Sequence, residues 1–197
     1  MLYNLKDLKS SDIYKLMSQG VIPRPIAWIV TEQNGVVNIA PFSYFTPLSS
    51  NPPSVIVSIG HKTDGSPKDS LQNIRDTKKC TICLVPEENL EKMHFSSKEL
   101  ARDKSEVKEF DIKTTKVYKN YPPIAENTPY ALFCTLSQEV DLNGSQTVPV
   151  ILTVDAIYVN DSVITDGEKI ELSFKPVARV GKAYAFLGKD IEAPIIK

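Results

Sequence analysis

Two apolar runs, "IAWIVT" from Ile26 and "VVNIA" from Val36, stand on either side of Asn34-Gly35. A two-residue type I′ turn needs positive φ at both central positions, which Asn-Gly tolerates, so this stretch predicts a β-hairpin. The same grammar returns downstream. "SVIVSI" (54–59), bounded by Pro52-Pro53, reads as a third strand and "CTICLV" (80–85) as a fourth. "YALFCTLSQEVDL" and "TVPVILTVDAIYV" flank a second Asn-Gly at Asn143-Gly144, and "LSFKPVARVGKAYAFLG" reads as short strands broken by Pro176 and Gly181. No βαβ alternation runs through the chain and no G-x-G-x-x-G follows a strand. The expected fold is therefore mainly β with inserted helices: an antiparallel barrel rather than a doubly wound sheet.

Helices are expected at three places. Ser10 or Ser11 caps the first, with Ile13, Leu16 and Met17 turned inward and Gly20 ending it. In "HKTDGSPKDSLQNI" (61–74), Ser66 suits an N-cap, Pro67 the first helical position and Asp69 the capping-box position, with Leu71 and Ile74 on the buried face. Between Pro86 and Phe110 a charged helical pattern carries sparse apolar positions: Leu90, Met93, Leu100, Val107 and Phe110. A helix N-terminus exposes unpaired N–H groups, so Lys68 with the hydroxyls of Ser66 and Ser70 would suit a phosphate. Capping alone accounts for the same residues, and both readings stand at this point.

Composition narrows the function classes. A chain of 197 residues suits one domain, spanning 1–197. The net charge of −1 and pI of about 6.2 give no basic footprint for nucleic acid. No apolar run reaches the roughly 20 residues that cross a bilayer, and the N-terminus lacks a signal-peptide core, so a cytoplasmic protein is expected. Cys80 and Cys83 form C-x-x-C within a strand pattern, where residues three apart point to opposite faces. With Cys134 they read as buried reduced thiols, and with two histidines no metal site is expected.

The segment 21–60 is unusual. Arg24 sits between two prolines, while Asn38, Tyr44, Thr46, Ser49, Ser50 and Asn51 crowd around prolines 41, 47, 52 and 53. Those prolines should prevent continuous ladder pairing and leave backbone N–H groups to a flat heteroaromatic ring with acceptors along one edge. An irregular barrel corner would show the same composition.

"PRPIAW", "NIAPFSYF", "SSNPP", "VSIG", "KDSLQNI", "YPPIAENTPYALFC" and "PVARVGKAYAFLG" occur in this order over about residues 21–188. The ordered set resembles the flavin reductase-like family, the flavoredoxin-related FMN-binding split barrels. The resemblance implies a split β-barrel and FMN. It places Asn38, Tyr44, Thr46, Pro47, Leu48 and Ser49 along the isoalloxazine and ribityl chain. Pro47 offers only its carbonyl, so the backbone donors there would be Thr46, Leu48 and Ser49. Ser58 and Gly60 would neighbour the ribityl chain or phosphate. Lys68 and Ser70 match the family's Lys-Asp-Thr and would hold the phosphate, with Asp69 kept as a capping residue. Arg24 could meet phosphate, Glu126 or substrate. Arg179 and Tyr184 match the "PVAR…Y" segment and would close the pocket across a dimer interface; with Arg24 they are candidate substrate contacts, the two arginines for the nicotinamide phosphates or for structural ion pairs. Trp28 is expected in the core and His61 as a bystander.

The implied activity is that of an NAD(P)H-dependent oxidoreductase, passing electrons to a free flavin, a metal complex or a protein. No catalytic side chain is expected, since the flavin N5 would carry the chemistry. A homodimer is expected, with FMN at or beside its interface. The other readings are a non-enzymatic carrier of flavoredoxin type, and a split barrel holding another phosphorylated cofactor such as pyridoxal phosphate or a deazaflavin.

Overall fold

The computed structural model describes residues 1–194. Helix α1 (Ser10–Gly20) precedes β1 (Arg24–Pro25), β2 (Ala27–Gln33), β3 (Val36–Phe42), β4 (Phe45–Ser50) and β5 (Pro53–Gly60). Then come α2 (Asp69–Thr77), β6 (Lys79–Cys83), α3 (Leu90–Phe95) and α4 (Glu106–Glu109). Next are β7 (Thr114–Thr115), β8 (Ile124–Ala125), β9 (Tyr130–Glu139), β10 (Thr147–Val159), β11 (Ile164–Asp166) and β12 (Glu171–Leu172). The order closes with β13 (Ala178–Val180) and β14 (Ala183–Ala185).

Seven strands form one sheet in the order β3-β2-β6-β9-β10-β5-β4, and every neighbouring pair is antiparallel. A three-stranded sheet, β1-β13-β14, lies beside it in the topology. The Asn34-Gly35 hairpin forms as its chemistry demands, with φ of 51° and 77°. Both faces of the large sheet are covered. Trp28, Val30, Cys83 and Phe133 pack with Met93 of α3 in one cluster. Ala27, Ile29, Cys80 and Leu152 pack with Leu71 and Ile74 of α2 in the other. Burial on both faces explains why β2 reads as a continuous apolar run rather than an alternating one. Cys80 and Cys83 fall in different clusters, as the strand period requires. No helix among the described residues is long and apolar enough to cross a membrane.

The structure differs from the local sequence pattern at three points. Residues 45–50 do pair: β4 joins β5 with a register shift between Pro47 and Ser49. Pro47 is tolerated because β4 is an edge strand with a bulge, where a missing N–H costs no ladder bond. Helix α2 starts at Asp69 with Lys68 at its N-cap and no side-chain cap bond. Ser66 is drawn back instead to Asp64, whose Oδ1 accepts from its N–H at 2.8 Å and its hydroxyl at 2.6 Å. A local Asx turn thus outcompetes the helix for that hydroxyl. Helix α1 likewise has Lys9 at its N-cap, and Met17 is 48% exposed rather than turned inward.

Candidate functional site

A small cavity of about 40 Å³ opens where the end of β3 meets the start of α2 and residues 96–100. Lys62, Lys68 and Ser70 reach it, with Asn38, Phe42 and Glu106. Asp69 in the first turn of α2 would repel an anion, but its Oδ1 accepts from Lys62 Nζ at 3.1 Å and Arg102 at 2.9 Å. Those two cations neutralise it. Lys68 meets no carboxylate within ion-pairing distance among the described residues. An uncapped N-terminus of a nine-residue helix beside an uncommitted lysine is a donor set suited to a phosphate monoester.

Behind this cavity lies a polar chain with Asn38 as its hub. Asn38 Nδ2 donates to Glu106 Oε2 at 2.7 Å, and the Ile39 N–H donates to the same oxygen at 3.1 Å. Asn38 Oδ1 accepts from Ser70 at 3.0 Å and from Thr31 at 3.2 Å. Thr31 in turn accepts from Asn73 at 2.9 Å. Asn38 is buried and its amide is used on both sides, so it positions neighbours rather than reaching outward. Ser70 is 1% exposed, and its single proton goes to Asn38. Burial pushes the Glu106 carboxyl above its ordinary value, and the nearby Asp69 charge pushes the same way; the bonds from Ile39 and Asn38 oppose this.

A second cavity, of about 280 Å³, shares Phe42 and Ser97 with the first. Tyr14 of α1, Ile26, His94 of α3, Arg179 of β13 and Tyr184 of β14 contribute to its wall. His94 Nδ1 lies 2.9 Å from the Tyr184 hydroxyl, with the two rings edge to face. The Arg179 guanidinium sits 4.7 Å from the centre of the Tyr184 ring, its Nε donating to the Gly181 carbonyl at 3.0 Å. Sequence reasoning pairs Arg179 with Tyr184 but misses His94, because nothing in the "EKMHF" pattern marks that helix face as pocket-facing.

The remaining expected residues lie elsewhere. Thr46, Pro47, Leu48 and Ser49 are exposed along the β4 edge and border neither cavity. Tyr44 is 39% exposed, and its carbonyl accepts from Ser58 N–H at 2.8 Å. Ser58 and Gly60 are half-buried on β5, opposite Pro149 and Thr147. His61 Nδ1 contacts the Gln146 carbonyl at 2.8 Å. Arg24 is buried, and its Nη1 donates to the Ser18 and Val21 carbonyls at 2.6 Å each, capping the C-terminal end of α1 rather than pairing with Glu126. Trp28 is fully buried and donates to Ser96 Oγ at 2.9 Å.

An antiparallel split barrel of this order, with helices packed on both faces of its sheet, defines the class of protein. The chain belongs to the flavin reductase-like family: the flavin reductase like domain matches residues 17–173. An uncharacterised protein of Halalkalibacterium halodurans, BH2278, is 31% identical, the match covering 100% of this chain and 98% of that one. The crystal structure of nitrilotriacetate monooxygenase component B from Bacillus cereus superposes with a TM-score of 0.88 at 25% identity, over 98% of each chain. The 2-nitrobenzoate 2-nitroreductase NbaA of Pseudomonas fluorescens gives 0.89 at 24% identity, over 100% of this chain and 96% of that one. An FMN-binding protein from Thermus thermophilus shares the fold at 0.74 and 17% identity, over 89% and 93%.

Proposed function

We propose that this chain, as a single domain over residues 1–197, binds FMN and works as an NAD(P)H-dependent oxidoreductase. The observation that carries the reading is the uncapped N-terminus of α2 beside Lys68, adjoining an aromatic-walled pocket. Lys68 and the first-turn N–H groups would hold the phosphate, with Ser70 fixed beside them by Asn38. Tyr44, Thr46, Leu48 and Ser49, with the Pro47 carbonyl, would flank the ring and ribityl chain, and Ser58 and Gly60 would support it from β5. One phosphate-suited helix start, with no glycine-rich pyrophosphate loop in the sequence, favours FMN over FAD. Bound FMN would supply the hydride chemistry, and the protein would supply binding, orientation and access. The acceptor would be a free flavin, a metal complex or a protein. Family membership and a neighbour named as a nitroreductase support the oxidoreductase class.

The β4 edge, with Leu48 exposed on it and Tyr44 exposed just before it, supports a homodimer that covers this strip and completes the site. Anaerobic stopped-flow mixing of the FMN-loaded protein with NADH and with NADPH tests the activity. Bleaching of the flavin band by either nucleotide is expected. If neither bleaches it within minutes while dithionite does, the chain is an electron carrier instead.

A further inference from the structure

Arg24 and Arg179 are direct partners in the β1–β13 register, so their side chains leave the same face of that small sheet. Like charges placed opposite one another destabilise a strand pair. Neither arginine has a carboxylate within ion-pairing distance among the described residues. Arg24 is held by backbone carbonyls and is only 6% exposed, with its Nε lacking any partner. Arg179 is different. Among the described residues only its Nε is engaged, by the Gly181 carbonyl, and its planar group lies against Tyr184 on the wall of the 280 Å³ pocket.

None of the residues lining that pocket is acidic. Tyr14, Ile26, Phe42 and Met93 supply apolar wall that suits the faces of a flat ring, beside the polar Ser43 and Ser97. The volume sits just below the roughly 300–1,000 Å³ of pockets for drug-sized ligands, which fits one ring and one acid group rather than a dinucleotide. A guanidinium fork matches a carboxylate through two parallel N–H bonds.

We propose that the Arg179–Tyr184 pocket is a subsite for a small aromatic carboxylate, the substrate of the oxidoreductase. The inference rests on the oxidoreductase reading for the ligand's being a substrate, but not for its binding. Arg179 holds the carboxylate, and the ring lies among Phe42, Ile26 and Tyr14. His94 is a positioning residue: through the Tyr184 hydroxyl it fixes the ring on which Arg179 rests.

Benzoate and its neutral counterpart benzamide are the probes. Each is titrated calorimetrically into the FMN-loaded wild-type protein and into Arg179→Gln, Arg179→Lys and Tyr184→Phe variants whose melting curves show them folded. FMN affinity is measured separately by flavin fluorescence. Benzoate is expected to bind more tightly than benzamide, and Arg179→Gln to weaken benzoate by about ten- to a hundredfold while leaving benzamide unchanged. Arg179→Lys should retain part of the preference, because it keeps the charge and loses the fork. If Arg179→Gln does not fold, the lysine variant decides: benzoate affinity equal to wild type overturns the assignment. So do equal binding of the two probes, no detectable binding of benzoate, or displacement of FMN by benzoate, which would make the pocket part of the cofactor site. If the wild-type protein binds no FMN, the titrations are run without it; a preference for benzoate there keeps the subsite while the flavin reading falls.

Discussion

Glu106 and Asn38 stand 68 positions apart in the chain and meet through a 2.7 Å hydrogen bond, with the Ile39 N–H closing on the same carboxylate oxygen. This contact ties the start of α4 to β3, and through Asn38 Oδ1 it sets the direction of the Ser70 hydroxyl at the head of α2. The cavity beside Lys68 therefore inherits its shape from a residue on another helix.

The buried carboxyl makes this link pH-sensitive. Burial raises its pKa in the folded protein, so the folded state takes up the proton at higher pH than the unfolded chain does. The stability contributed by that protonation is complete below the unfolded value and is lost as pH rises through the folded one. Glu106→Gln keeps an acceptor for Asn38 but cannot ionise. Its melting temperature relative to wild type should be more favourable at about pH 7.5 than at about pH 5. A difference independent of pH would show that Glu106 titrates normally.

Lys68→Ala should weaken FMN binding by about ten- to a hundredfold, the worth of a charge-assisted contact, and leave riboflavin nearly unaffected. Lys62 is committed to Asp69, so it cannot replace the lost charge without releasing that carboxylate into the site. Fluorescence titration with both flavins makes the comparison. Equal losses would take Lys68 out of the phosphate site.

The three thiols should be silent in the folded protein. Cys80, Cys83 and Cys134 are fully buried, and burial pushes Cys83 up to about 11. Cys134 is held high by its neighbour Cys80, directly opposite on the β6–β9 ladder, together with burial. Mixing with an aromatic disulfide reagent at mildly alkaline pH should release no thiolate colour natively and three equivalents in denaturant. Rapid native labelling would place one of these strands in a fluctuating edge.

Leu48 is 51% exposed on an edge strand, where an uncovered apolar side chain invites a second chain. Leu48→Glu should shift the protein from dimer to monomer in light scattering and lower FMN affinity with it. A wild-type monomer that binds FMN tightly would end the dimer proposal.

Sequence legibility followed interaction range. The Asn34-Gly35 hairpin and the split of Cys80 from Cys83 were readable because turn geometry and strand period act over a few residues. Ser66 does not cap α2 because Asp64, two residues away, accepts from both its N–H and its hydroxyl and holds it in a local turn ahead of the helix. The pairing of β4 was hidden because proline excludes a strand interior but not an edge, and edge position is a property of the whole sheet. Among the site residues, Lys68 could be placed by its helix start, whereas Glu106 and His94 could not. Their partners Asn38 and Tyr184 lie 68 and 90 positions away, and no local pattern encodes that meeting.

The hub itself offers the sharpest test. Asn38→Asp replaces the amide that donates to Glu106 with a second carboxylate at the same 2.7 Å position. Two carboxylates that close cannot both stay ionised in a buried setting, so one must take up a proton or the contact must open. Urea unfolding at neutral pH should show a loss of about 3–5 kcal/mol, the scale for leaving a buried charge uncompensated. Adding Glu106→Gln restores a donor beside the new aspartate, so the double variant should regain much of that loss. The coupling read from the four-protein cycle should then be well above the roughly 0.3–0.5 kcal/mol scatter of independent sites. Strict additivity would mean that the Glu106–Asn38 contact carries no energy, and the cavity's dependence on α4 would fall with it.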